Sequence, residues 1–122
     1  MSFSETAVKL HDEKNYNCCQ AVFCSACGKC GMDEETAYRL GAFFGAGMRR
    51  GEVCGCISGA LMAIGMKDGD ENNRQSDASR KFLKAFEEKF GTLLCKDLVK
   101  QHGKPACVRF IAFAADYLEE YL

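Results

Sequence analysis

Nine cysteines among 122 residues are the side chains here whose type and spacing could do chemistry. Four of them fall where helices are expected to begin. Cys18 directly follows Asn17, a capping residue; Cys54 comes three residues after Gly51; Cys95 comes three after Thr92; Cys107 comes two after Pro105. Unpaired N–H groups and the positive end of the helix dipole stabilise a thiolate in a first turn. A thiolate is the nucleophile of disulfide exchange and a ligand for soft metals. Arg49 and Arg50 stand beside Cys54, and Arg49 is expected to support its thiolate.

A second constellation is CSACGKC, with Cys24, Cys27 and Cys30 at C-x2-C-x2-C spacing. It is similar to part of an iron–sulfur run but lacks the fourth Cys-Pro. Its C-x-x-C pairs lack the βαβ context of a thioredoxin-type site. A free cysteine also packs as a small apolar group. That bland reading applies to this run and to every other cysteine, Cys54 and Cys107 included, since both fall on apolar helical stripes. His11 and His102 have no spaced partner for a metal, and Glu87–Glu88 reads as a solvated face. No phosphate-binding glycine loop, serine triad or H-E-x-x-H occurs.

The elements that must position these thiols all read as helices, with no sustained alternation to suggest strands. Ser4 is expected to cap a first helix running to about Glu13, and Asn17 a second, ended by Gly28 and Gly31. Asp33 opens a third, expected to reach about Met48. A fourth is expected from about Gly51 to Met66, then a loop over Lys67–Asn73. A fifth spans about Gln75–Phe90, with Phe82, Leu83, Phe86 and Phe90 as its apolar stripe. A sixth follows Thr92 to about Gln101, and Pro105 opens the last. Gly41 and Gly45, and Gly51, Gly55 and Gly59, recur four apart, which predicts a close crossing of the third and fourth helices. The expectation is an all-α, compact, single-domain bundle of about six to seven helices over residues 1–122.

Composition narrows the class. Apolar residues make up 48%, enough for a core, and the net charge of -1 gives no case for nucleic acid or an anionic membrane. The N-terminal residues lack an apolar signal core, and the best apolar run, Val53–Met66, is short of a membrane span. A cytoplasmic protein is expected. In reducing cytosol, dense cysteine points to metal binding or redox work rather than a fixed disulfide framework.

NCCQAV (Asn17–Val22), GAGMRRGEVCGCISGALMAIG (Gly45–Gly65), FEEKFGTLLCKDL (Phe86–Leu98) and the final ACVRFIAFAADYLEE carry a resemblance. The chain resembles a family of small redox-active proteins named for a C…CGAxxG…C…C pattern, from about Tyr16 onward. The resemblance maps the four family cysteines onto Cys18, Cys54, Cys95 and Cys107. It departs where Cys56 stands in place of the motif's Ala, and it leaves Cys19, Cys24, Cys27, Cys30 and Cys56 outside.

Three functions follow as expectations. The first is thiol–disulfide redox activity of an oxidoreductase-like kind, with Cys54 attacking, Cys18 resolving, and Cys95 and Cys107 as a second pair. The second is zinc or an iron–sulfur cluster held by the same four cysteines, which lack the C-x2-C pairs of structural zinc sites. The third is a non-catalytic helical interaction module. The redox partner, the substrate and assembly into a homo-oligomer stay open.

Overall fold

The computed structural model describes residues 1–70 and 77–122. The architecture is all-α. Helix α1 spans Phe3–Lys14, α2 Cys18–Ala26, α3 Glu34–Leu40, α4 Gly55–Asp68, α5 Ala78–Phe90, α6 Cys95–His102 and α7 Cys107–Tyr121. A single 3-10 turn, Lys104–Ala106, leads into α7 with Pro105 in its first turn. Among the described residues the only extended pairing is one antiparallel bridge, Val53 to Leu94.

Capping side chains set several of the helix starts. Ser2 and Glu5 form a capping box on α1, so the cap is Ser2 and not Ser4 as expected. Asn17 and Gln20 do the same for α2, and Asp33 caps α3 through the Thr36 N–H. The α5 stripe packs as expected: Phe86 and Phe90 are buried against Phe110 and Phe113 of α7, and Phe82 against Tyr117, with ring centroids 4.7 Å apart for Phe90 and Phe110. Each such ring contributes roughly 2–3 kcal/mol by burial. The expected start of α5 at Gln75, and the last residues of the Lys67–Asn73 loop, lie outside the described residues.

Two expectations change. The third helix stops at Leu40, with Gly41 at its C-terminus, rather than running to Met48. Beyond it Ala46, Gly47, Met48, Arg49 and Gly51 all take left-handed backbone angles, with φ of 53°, 62°, 59°, 61° and 71°. The turn is closed by the Glu52 N–H donating to the Gly47 carbonyl at 2.9 Å. For the three residues with side chains this conformation costs about 1–2 kcal/mol each. A Cβ on Gly47 would lie 2.4 Å from the Glu52 nitrogen, so only glycine fits there.

The second change concerns the glycine seam. Helix α4 packs most closely on α2, not on α3. A Cβ on Gly59 would meet the Cys19 carbonyl oxygen at 2.7 Å, and one on Gly55 the Phe44 carbonyl at 2.9 Å. Helix α2 is thereby enclosed by α1, α4 and α7, which brings its first residue, Cys18, to the centre of the molecule's cysteine chemistry.

Candidate functional site

Cys18 is the first residue of α2, and its start is held from two sides. The Asn17 side chain accepts the Gln20 N–H at 2.8 Å. The same side chain donates to the carbonyls of Gly41 and Ala42 at 3.1 and 3.2 Å. Cys18 Sγ lies against the first turn of α4, so close to Gly55 that a Cβ there would sit 2.4 Å from the sulfur. The two neighbours of Gly55 are Cys54 and Cys56, whose thiols are the groups that most lower Cys18.

Cys54 and Cys95 are set side by side by backbone pairing around the Val53–Leu94 bridge. The Cys54 N–H donates to the Leu93 carbonyl at 2.9 Å, and the Cys95 N–H to the Glu52 carbonyl at 2.7 Å. Cys54 is the N-cap of α4, which starts at Gly55 rather than Gly51, and Cys95 opens α6 directly. Cys107 opens α7. The structure thus brings together all four cysteines singled out at helix starts. Cys18, Cys54, Cys56, Cys95 and Cys107 line one cavity of about 310 Å³, completed by Ala46, Leu98, Val99, Lys104 and Phe110.

The thiols in this cavity are not equivalent. Hydrogen bonds from Cys54, then Cys56, hold Cys18 well below the ordinary thiol range, with the Ala46 and Cys19 backbone N–H groups helping and burial opposing. Cys54 is displaced upward, chiefly because its proton is engaged by Cys18. Cys56 is fully buried, and burial raises it furthest, with its bonds to Cys18 and Cys54 adding. Burial and the Cys18 charge also raise Cys95 and Cys107; Lys104 partly offsets this for Cys107. Among the thiols lining the cavity Cys18 alone is displaced downward, and Cys54, Cys56, Cys95 and Cys107 are displaced upward.

Arg49 has a different place from the one expected. Its guanidinium stacks over the Phe43 ring at 5.0 Å, and Arg50 reaches Glu52 at 4.0 Å. Neither is among the groups that set the Cys18 or Cys54 thiol. The left-handed turn that carries Arg49 contributes instead through backbone, by the Ala46 N–H. His11 bonds the Tyr16 carbonyl and His102 the Phe90 carbonyl, both away from the thiols.

Cys24, Cys27 and Cys30 do not join the cavity. The Cys27 thiol donates to the Cys24 carbonyl at 3.3 Å, Cys24 to Glu34 at 3.9 Å and Cys30 to Ala63 at 3.8 Å. Burial, the first cause in each case, raises all three. Cys19 is likewise buried and raised to about 12. Among the described residues no three Cys, His, Asp or Glu side chains converge as ligands for a metal ion.

A family model described as "Putative redox-active protein (C_GCAxxG_C_C)" matches residues 16–121. The chain belongs to this family. The described pattern contains four cysteines, which Cys18, one of the Cys54/Cys56 pair, Cys95 and Cys107 can supply in order. Written as GCAxxG, the central motif takes Gly55–Cys56, with Ile57 and Ala60 at its Ala and Gly; the order C-G-x-x-x-G takes Cys54, Gly55 and Gly59. Both alignments place the motif cysteine on a thiol that shares the cavity with Cys18. No curated protein and no solved structure matches the chain. No described helix is long and apolar enough to cross a membrane.

Sequence reasoning missed three contributors: Cys56, Ala46 and Lys104. The signal for Cys56 was present in C-G-C, because residues flanking the first position of a helix both face a group seated over that end. Ala46 carried no signal, since its part is played by backbone.

Proposed function

We propose that this protein is a thiol–disulfide redox protein in which Cys18, not Cys54, is the attacking thiolate. The observation that carries this is the clasp: the Cys18 sulfur, at the start of α2, sits against Gly55 between Cys54 and Cys56, the two thiols that most lower it. A thiolate so placed attacks a disulfide RSSR′, forming Cys18–S–S–R and releasing R′S⁻, which takes a proton from Cys54 or Cys56. The deprotonated neighbour then attacks the Cys18 sulfur, expels RS⁻ and leaves an intramolecular disulfide. Two electrons pass from the dithiol to RSSR′. Cys95 and Cys107, less buried and at the rim, suit the return step, exchange with an external dithiol. That no ligand set for a metal ion converges among the described residues supports this reading over zinc or an iron–sulfur cluster.

The test is mild oxidation of reduced protein followed by peptide mass mapping. A first disulfide joining Cys18 to Cys54 or Cys56 is expected. A first disulfide that excludes Cys18, or nine thiols that survive oxidation intact, would sink the reading.

A further inference from the structure

The cavity also says what class of disulfide fits. Two of its thiols are recessed, Cys54 at 4% and Cys56 at 0% exposure, while Cys18, Cys95 and Cys107 are half-buried. A disulfide carried on a folded protein brings polar backbone on both sides, for which the apolar lining of Ala46, Leu98, Val99 and Phe110 offers no partner. A volume of about 310 Å³ is instead at the lower end for small-molecule sites.

Charge adds a second, independent constraint. Lys104 is the one basic side chain among the described residues lining the cavity; it borders the cavity mainly through its aliphatic stem, and its charge acts on Cys107. The segments that flank its lining residues, 47–52 and 95–104, carry Arg49, Arg50, Lys96, Lys100 and Lys104 against only Glu52 and Asp97, with Arg49 over Phe43 and Arg50 paired with Glu52. Those segments pack on one another. The whole chain has a net charge of -1, so this local excess of cations is a departure from the rest of the surface. A concave site rimmed by one sign of charge concentrates ligands of the other.

We infer that the substrate is a small disulfide bearing a carboxylate, its S–S bond presented to Cys18 in the apolar interior and its anionic end held at Lys104. This rests on the redox reading above and follows the same electron balance: the carboxylated disulfide is reduced to two thiols as the Cys18 pair is oxidised. An external dithiol restores the pair.

Three small disulfides of similar size make the test: 3,3′-dithiodipropionate (anionic), bis(2-hydroxyethyl) disulfide (neutral) and cystamine (cationic). The rate of protein thiol loss with each is divided by the rate of its reduction by dithiothreitol, a neutral dithiol, which removes differences in intrinsic reactivity. The normalised rate is expected to be about five-fold higher for the anion than for the neutral compound, the size of effect one nearby charge has at a partly solvated site. Cystamine should rank last. Lys104→Gln should bring the anion-to-neutral ratio down towards one, whereas Lys9→Gln, which removes a charge from exposed α1, should keep it. An anion-to-neutral ratio of one, or a ratio untouched by Lys104→Gln, overturns the inference. So does insulin, a protein disulfide, reacting at a comparable normalised rate. In each of these cases a Cys18 disulfide still forms, and the redox reading survives. Failure of all the disulfides to oxidise Cys18 brings both down.

Discussion

Two regions of this molecule are rich in cysteine, and they behave in opposite ways. In the Cys24–Cys30 run the three thiols lie close in sequence, and each gives its hydrogen to a backbone carbonyl. A carbonyl acceptor favours the protonated thiol, and burial favours it further. In the cavity the cysteines come from four helix starts, and thiol and backbone N–H groups lower a single sulfur, that of Cys18. Local cysteine density does not make a thiol reactive here. What matters is whether a sulfur meets donors or acceptors, and in this fold helix starts supply the donors.

The sharpest break between the two regions should appear in alkylation at low pH. An ordinary thiol loses about ten-fold in rate per pH unit below its pKa, so about 1000-fold between pH 8 and pH 5. Cys18 should label with iodoacetamide at nearly the same rate across that range, read by peptide mass spectrometry, while Cys24, Cys27 and Cys30 fall steeply. A steep fall at Cys18 would erase the distinction. Cys18→Ser should leave no residue with the flat profile.

The same variant tests the clasp through stability. The folded-state pKa of Cys18 lies below its unfolded value, so its contribution is complete above about pH 8.5 and is lost as pH falls. The folded-state pKa of Cys54 lies above, at about 12, so its contribution is complete below about pH 8.5 and is lost as pH climbs towards that value. The stability gap between the natural chain and Cys18→Ser, measured by denaturant unfolding under reductant, should therefore be widest near pH 8–9. It should narrow on both sides. A gap independent of pH would mean that Cys18 is not a thiolate.

Gly55→Ala probes the same contact sterically. The added methyl meets the Cys18 sulfur and the Phe44 carbonyl, and overpacking of this kind costs about 1–3 kcal/mol. Its melting temperature should drop, and the flat labelling profile of Cys18 should steepen as the sulfur is displaced.

The smallest effects belong to the other region. Replacing Cys24, Cys27 or Cys30 singly by Ala should cost about 1 kcal/mol of packing each and leave the Cys18 profile unaltered. A change in that profile would tie the two regions together after all.

Much of this was legible in the sequence. Capping residues and apolar periodicity marked the helices, because both act within a turn or two of chain. Asn17, Asp33 and the Phe82–Phe86–Phe90 stripe are examples, and the four helix-start cysteines followed from them. The stretch Gly45–Gly51 was not legible. Its residues tolerate a helix locally, and the left-handed path is imposed by the contact between Gly47 and Glu52. The identity of the thiolate was hidden for a related reason. Arg49 and Arg50 favoured Cys54 on sequence proximity, but their side chains go to Phe43 and Glu52. Which sulfur receives the donors depends on how α4 meets α2, and that is a tertiary fact.

The clasp around Cys18 has one more consequence, in electron affinity. Each donor that stabilises the Cys18 thiolate stabilises the reduced protein alone, because a sulfur in a disulfide carries no charge for those donors to hold. A disulfide formed at Cys18 would give up all of these bonds at once. Stabilising the reduced form raises the reduction potential of the pair. The geometry that makes Cys18 a ready nucleophile therefore also makes its disulfide easy to reduce, and it sets the oxidised protein towards accepting electrons rather than storing a permanent cross-link.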